Sequence, residues 1–346
     1  MKLTIVDIAK LSNVSVSAVS IVLNNKPGVS KKTREKVLKV IEKYNYNPNQ
    51  IAQSLALKET KSIGLIIKEI DNPHFAKVMK GVYDTASEFG YSVLLGSSEL
   101  NAEKEAEIIN TMLSKRVDGL IISPIQNDVR NFFSLANLMS DNVSFVILGM
   151  IDNYTVNSVD IDNRKAAKEA VLHLIKLGHK KIAYFGGPPH SGHAQKRLYG
   201  YQNALNENLI PIDDELLFTV GPNIEDGYNL AHELFSNSNG NRPTAVFCYN
   251  DLAAIGVINA LEKLEISVPE DVSVFGFDNI DFGKYLKFPL STIDMPAFKI
   301  GEEATKLLIR VIQSKGEIRN EKVILEHQLV IRNTCSKVKR MYQAKE

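Results

Sequence analysis

Val16, Ser17, Ser20, Ile21 and Asn24 fall on one face of a short helical segment near the start of the chain, and their types suit one kind of chemistry. The hydroxyls and the amide can bond phosphate oxygens and base edges, and the two aliphatic side chains can meet thymine methyls. An inert solvent face would show Glu and Lys in those places. The surrounding charge agrees. Residues 1–60 hold ten Lys and Arg against four acids, a balance of +6, and the remainder carries −5, although the whole chain is only +1. Clustered cations of this kind displace the counterions of a phosphate backbone, so the first segment is expected to meet a polyanion.

No comparable constellation for catalysis is present. There is no Gly-x-x-x-x-Gly-Lys-Ser/Thr loop, no Gly-x-Gly-x-x-Gly after a strand and no Gly-x-Ser-x-Gly elbow. His190 and His193 lie in a loop of Pro, Gly and Ser without a neighbouring acid or thiol, which is a poor metal set. Cys248, between Phe247 and Tyr249 at a strand end, reads as packing. Two cysteines, Cys248 and Cys335, make neither a disulfide framework nor a four-thiolate zinc site, so a reducing compartment is the simpler setting. An enzymatic reading has no support, and neither metal nor cofactor is expected.

The elements that would carry the polar face are three helices. Thr4 caps a first helix with Ile5, Ile8 and Leu11 on one face, Ser15 caps a second with Val19, Val22 and Leu23 inward, and Ser30 caps a longer third with Val37, Val40, Ile41 and Tyr44. Spacing alone leaves an ordinary three-helix bundle and a helix-turn-helix module both open. The polar face of the second helix favours the latter.

At 346 residues the chain is long enough for two or three domains, and 44% hydrophobic and 23% charged residues describe real cores rather than disorder. From Ser62 onward, short aliphatic runs alternate with helical patterns in two successive series, the first through Leu148 and the second through Phe277. That pattern predicts two doubly wound parallel sheets with a cleft between them, and ligands of such sheets sit beyond the carboxyl ends of the strands.

Specific motifs go further. Thr4-Ile-Val-Asp-Ile-Ala9, Val14-Ser-Val-Ser-Ala-Val-Ser20, Val22-Leu-Asn24, Thr33-Arg34, Tyr46-Asn-Pro-Asn49 and, in the core, Asp71-Asn-Pro-His-Phe75, Val159-Asp-Ile-Asp-Asn163, Leu177-Gly-His179, Arg197-Leu-Tyr-Gly-Tyr201, Tyr249-Asn-Asp251 and Gly276-Phe-Asp-Asn279 stand in order along nearly the whole chain. Together they resemble the LacI/GalR family of bacterial transcription regulators, whose core is similar to periplasmic sugar-binding proteins. The resemblance implies that Val16, Ser17 and Ile21 face bases in the major groove, and that Thr4, Ser15, Ser20, Asn24, Ser30 and Thr33 hold phosphates. Ile21 departs from members that read guanine with Arg, so the matching base should be read differently. Pro48 to Leu57 matches the family's hinge helix, with Asn49 as its cap and phosphate contact, Ala52 approaching bases and Leu55 wedging into the minor groove.

For the core, the resemblance implies an effector held by His74, Phe75, Ser191, His193, Arg197, Asn250 and Asp278, a donor and acceptor set that suits a sugar or sugar derivative. One departure bears on this. Where some sugar-responsive members carry an acid after the Phe145–Leu148 run, this chain has Gly149-Met150, with Asp152 three residues later. A purine-like ligand or a phosphoprotein co-effector, as in the catabolite-control subgroup, therefore stays open.

The expected organisation is an N-terminal all-α helix-turn-helix domain (1–47), a hinge helix and linker (48–60) and an α/β core (61–334), followed by a basic tail (335–346). The core should divide into one subdomain of about 61–161 and 292–325 and another of about 162–291 and 326–334. A homodimer would read a palindromic double-stranded operator, the effector changing its affinity. The rival is a solute-binding protein, which predicts a signal sequence and no DNA-reading module. Asp7 interrupts the first apolar run and no run of about 18 apolar residues follows, so a cytoplasmic protein without a membrane partner is expected.

Overall fold

The computed structural model describes residues 3–46, 59–125, 129–151, 155–189, 191–236, 242–315 and 317–338. They fall into two compact units divided after Lys61. The hinge segment with Asn49, Ala52 and Leu55, together with Asp152 and His190, lies outside the described residues.

The first unit is three helices, α1 (Ile5–Ser12), α2 (Val16–Leu23) and α3 (Lys31–Lys43). Each begins at a hydroxyl cap. Thr4 forms a reciprocal capping box with Asp7, Ser15 Oγ accepts from Ala18 N at 3.2 Å and Ser30 Oγ accepts from Thr33 N at 3.2 Å. Ile8, Ala9, Val19, Val22 and Val37 close the core. Two side chains expected inside are exposed, Leu11 and Tyr44. A helix turns about 100° per residue, so Leu11 stands about 120° from Ile5, and the buried stripe runs through Ala9 and Ser12 instead. Tyr44 is the C-cap of α3, past its last helical residue.

The second unit opens with β1 (Ser62–Ile67), α4 (Pro73–Glu88), β2 (Ser92–Ser97), α5 (Ala102–Ser114), β3 (Gly119–Ile122), α6 (Val129–Ser140), β4 (Phe145–Leu148) and β5 (Ser158–Ile161). The second series is α7 (Asn163–Lys176), β6 (Ile182–Gly186), α8 (Gly192–Glu207), β7 (Leu217–Thr219), α9 (Ile224–Ser236), β8 (Ala245–Cys248), α10 (Asp251–Lys263) and β9 (Ser273–Phe275). β10 (Thr292–Asp294), α11 (Ala297–Gln313), β11 (Lys322–Leu325) and β12 (Gln328–Val330) complete it.

One parallel sheet runs β11-β5-β4-β3-β1-β2 and the other β7-β6-β8-β9. The residues of β3, β4 and β5 are all buried, as both faces of a helix-covered parallel sheet require. α11 packs on α4 in the first subdomain, their backbones touching at glycine: a Cβ on Gly81 would lie 2.1 Å from Phe298 O. The chain crosses between subdomains three times, after β5, after β10 and after β11.

Two boundaries differ from the sequence reading. β10 pairs antiparallel with β12, and Phe275 and Asp278 bridge to Ser291 and Asp294, so Thr292–Asp294 belongs with the second sheet and the return crossing comes at Met295-Pro296. The tail also starts after residue 335. Val274 N donates to Thr334 O, Ser336 N to Ser273 Oγ and Val338 N to Leu177 O, which ties residues through Val338 to the second subdomain.

Candidate nucleic-acid interface and ligand cleft

On α2, Val16 and Ser17 are exposed, while Ser20, Ile21 and Asn24 are half-buried. Asn24 Nδ2 donates to Ser20 O at 2.8 Å, so that amide closes the helix end. Ile21 leans toward the following loop, its Cδ1 3.6 Å from where a Cβ on Gly28 would stand. Arg34 braces the same loop, donating from Nη1 to Asn25 Oδ1 and from Nη2 to Lys26 O. Thr4 is committed to Asp7, Oγ1 to Oδ2 at 2.7 Å, and Ser30 Oγ and Thr33 Oγ1 are 2.9 Å apart. Lys26, Lys31, Lys32, Lys36 and Lys39 remain exposed, so the unit presents cations and hydroxyl-capped helix N-termini together.

In the core, all seven residues expected to meet a ligand line one cleft, beside Lys68, Glu69, Asn72, Tyr249 and Met295, which the sequence reading did not single out. The cavity between them is about 60 Å³. That is small beside the roughly 300–1,000 Å³ usual for small-molecule sites. A cavity of about 270 Å³ lies at the amino ends of β4 and β5, between Met139, Phe145, Val311 and Ile318. It has one cation, Arg319, and no carboxylate, so the chemistry belongs to the cleft.

Arg197 is the centre of the cleft. Its Nε donates to Asn163 Oδ1 at 3.0 Å, Nη1 to the Tyr249 carbonyl and Nη2 to Met295 Sδ, while its plane stacks 3.6 Å from the centre of the Phe277 ring. Asp278 follows at 3.5 Å. Burial pushes the Asp278 carboxyl up to about 7, with Arg197 pulling against it. Its φ of 109° is a strained conformation for a residue with a Cβ, of the kind that gathers at functional sites.

The other side chains come from element ends. Asn72 caps α4 and sets His74 and Phe75, whose rings meet edge to face at 5.4 Å. Burial, with Arg197 next, holds His74 down to about 3, so the ring is neutral. Ser191 caps α8, placing His193 one turn from Arg197. Asn250 caps α10 through Oδ1 and donates from Nδ2 to Pro222 O at 2.9 Å, so both ends of that amide are engaged within the protein. Behind the lining, His193 Nε2 stands 3.5 Å from the buried Asp160 Oδ2. Lys68 and Glu69 follow directly on β1, and Asp160 lies within β5; strand carboxyl ends were the available signal for all three. Among the described residues no group of three or more His, Cys, Asp or Glu is placed to hold a metal, and no single helix is long and apolar enough to cross a membrane.

The family described as periplasmic binding proteins and sugar-binding domain of LacI family matches residues 60–333, and that of bacterial regulatory proteins, lacI family, matches residues 4–49. The chain belongs to the LacI family. Catabolite control protein A of Priestia megaterium is 33% identical over 337 residues, covering 96% of this chain and 99% of that one. A lac repressor dimer solved with operator and the anti-inducer ONPF superposes with a TM-score of 0.88 at 28% identity, covering 97% of this chain and all of that one. A transcriptional regulator CelR–cellobiose complex gives 0.71 at 26% identity over 96% and 99%. This LacI-family chain is a DNA-binding transcription regulator built from a helix-turn-helix unit and a periplasmic-binding-protein-like core.

Proposed function

We propose that the protein is a homodimeric repressor that reads an imperfect palindrome with α2 and changes its operator affinity when a small molecule of sugar class occupies the cleft. Val16, Ser17 and Ile21 meet base edges. Thr4, Ser15, Ser20, Asn24, Ser30 and Thr33 meet phosphates. Residues 48–60 are the hinge, with Asn49 at the backbone and Ala52 and Leu55 in the minor groove. His74, Phe75, Ser191, His193, Arg197, Asn250 and Asp278 surround the effector. The observation that carries this reading is the convergence of those seven residues, drawn from four separated stretches of sequence, on one cleft between the subdomains. A ligand that binds one arrangement of the subdomains better than the other shifts the operator equilibrium by that difference.

The test is a two-stage titration of the full chain. Double-stranded sites are selected from a random pool, and binding to the winner is measured with and without neutral sugars, sugar phosphates and purines. A palindromic site whose affinity moves with a sugar is the expected result. Selection of no site, or retention of binding after removal of residues 1–60, would overturn the DNA assignment. A second reading, a catabolite-control-type regulator answering to a phosphoprotein or purine-like co-effector, is favoured by Gly149, which stands where some sugar-responsive members carry an acid. A response to a purine, or silence to every sugar with a response to a phosphorylated carrier protein, selects it.

A further inference from the structure

We propose that Lys68 is the anchor for an acidic group of the ligand, a carboxylate or a phosphate, so that the effector is an anionic sugar derivative rather than a neutral sugar. This deepens the effector reading above and rests on it.

Lys68 is the first residue past β1, and β1 lies between β3 and β2. The chain leaves β1 for β2 on one side and later returns for β3 on the other, so the carboxyl end of β1 is the point where the strand order reverses, and ligands of such sheets gather there. The backbone at this point is fixed: Ser98 N donates to Ile67 O at 2.9 Å and Leu100 N to Lys68 O at 3.2 Å. The Lys68 side chain is buried, 4% exposed, and it lines the cavity beside Asn72, His74, Ser191 and Arg197.

A buried ammonium ordinarily rests on a carboxylate or a carbonyl, because an unpaired charge away from water is costly. Lys68 rests on neither. Among the described residues its side chain makes no hydrogen bond and no ion pair; Glu105, Glu69 and Asp160 act on it only through space, and Arg197 opposes them. Each of those acids is engaged elsewhere. Glu105 Oε2 accepts from Ile125 N at 3.0 Å, Glu69 is bonded to the Asn72 side chain, and Asp160 accepts from Ile161 N at 2.8 Å and faces His193. Burial also raises Glu105 to about 7, so near neutrality it brings only part of a charge. The other cation of the lining is spent: Arg197 serves Asn163, Tyr249 and Met295 and has Asp278 at 3.5 Å. The cleft therefore holds one cation with partners and one without.

A ligand hydroxyl could accept a hydrogen bond from Lys68 but would leave its charge unanswered, whereas an anionic oxygen supplies both the acceptor and the countercharge. His74 Nδ1, on the same lining, is buried without a hydrogen-bond partner, and a neutral imidazole adds an N–H without adding charge. Burial raises the acids of the lining, Asp278 to about 7 and Glu69 to about 6, so both take up a proton readily as another negative charge arrives.

The test titrates the full-length protein calorimetrically with matched probes: D-glucose, D-glucuronate and glucose 6-phosphate; D-galactose, D-galacturonate and galactose 6-phosphate; D-ribose and ribose 5-phosphate. The expected result is that one acidic probe binds at least tenfold tighter than its neutral parent, and that Lys68→Met weakens the acid by about 10- to 100-fold while leaving the parent unchanged. Whether the uronate or the phosphate binds tells the two anions apart. Methionine keeps the length of the side chain and removes the charge, so K68M without ligand should melt no lower than wild type. A melting temperature far below wild type would place Lys68 in an internal ion pair and overturn the proposal. Tighter binding of a neutral sugar than of its acids, or an equal loss of both in K68M, also overturns it and leaves the effector reading intact. Binding of none of the probes, with operator recognition retained, overturns the effector reading and this inference together.

Discussion

Arg197 Nη2 stands 3.5 Å from Asp278 Oδ1 with both side chains buried, yet burial still holds the Asp278 carboxyl up near 7. The pair is too long to neutralise the acid fully, because the guanidinium divides its donors among Asn163, Tyr249 and Met295 as well. Arg197 is therefore a brace of the folded cleft as much as a ligand donor.

Arg197→Ala should cost stability as well as effector response. Removing the guanidinium leaves Asn163 Oδ1 and the Tyr249 carbonyl without their donor, and an unsatisfied buried acceptor costs about 1–3 kcal/mol. Arg197→Lys should recover little, since an ammonium presents its donors from one atom, cannot span acceptors set around three guanidinium nitrogens and cannot stack flat on Phe277. Urea unfolding monitored by fluorescence reads the difference. A loss below about 1 kcal/mol would contradict the bracing role.

Asp251 sets a second expectation. It accepts from Thr292 Oγ1 at 2.6 Å and Ile280 N at 2.8 Å, and burial, then Asp278, raises its carboxyl to about 8. An acid raised on folding keeps its proton longer in the native state, so its contribution is lost as pH climbs from the unfolded to the folded value. Above neutrality the buried histidines His74 and His193, both lowered, are uncharged in either state. Core stability should fall from about pH 7 to about pH 8.5 by roughly 1 kcal/mol per pH unit for each such proton. Asp251→Asn should flatten that slope. A wild-type profile level across this window would refute the assignment.

Gly149→Ala adds a Cβ at a φ of 116° and 2.8 Å from His193 Nε2. The conformational strain alone is worth about 1–3 kcal/mol. In a His193→Ala background the steric part should vanish and the backbone part remain, so the two losses should be less than additive. Thermal melts of the four proteins decide this, and full additivity would show that the ring and residue 149 do not meet.

Leu55→Ala addresses the hinge. A wedge between base pairs matters only where the duplex is kinked, so operator affinity should drop by tenfold or more while non-specific binding and its salt dependence hold. Equal losses on operator and on unrelated DNA, measured at one salt concentration, would count against a wedge.

The fold was legible because both periodicities are strong: apolar runs such as Ile63–Ile67 and Phe145–Leu148 became buried parallel strands. The inward face of α1 was read through Leu11 rather than Ala9 and Ser12 because small residues carry little hydropathy signal, although their angle on the helix decides. The cleft residues carried over from motifs do come together. What motifs could not reveal was partnership. Asn250 is spent on a cap and a loop carbonyl, and Asp160, quoted only as part of a signature, meets His193 behind the lining. Hydrogen-bond accounting of this sort needs coordinates, because the groups involved are far apart in sequence.

The three passages between the subdomains have a mechanical meaning. Arg197 bonds Asn163 at the first of them and Met295 at the second, and His327, at the third, pairs with Glu169 of α7 at 2.9 Å. The pivot about which the two halves can turn is thus made of the same atoms that grip the centre of the cleft. A molecule that displaces the guanidinium would act at these passages rather than at the rim of the cleft.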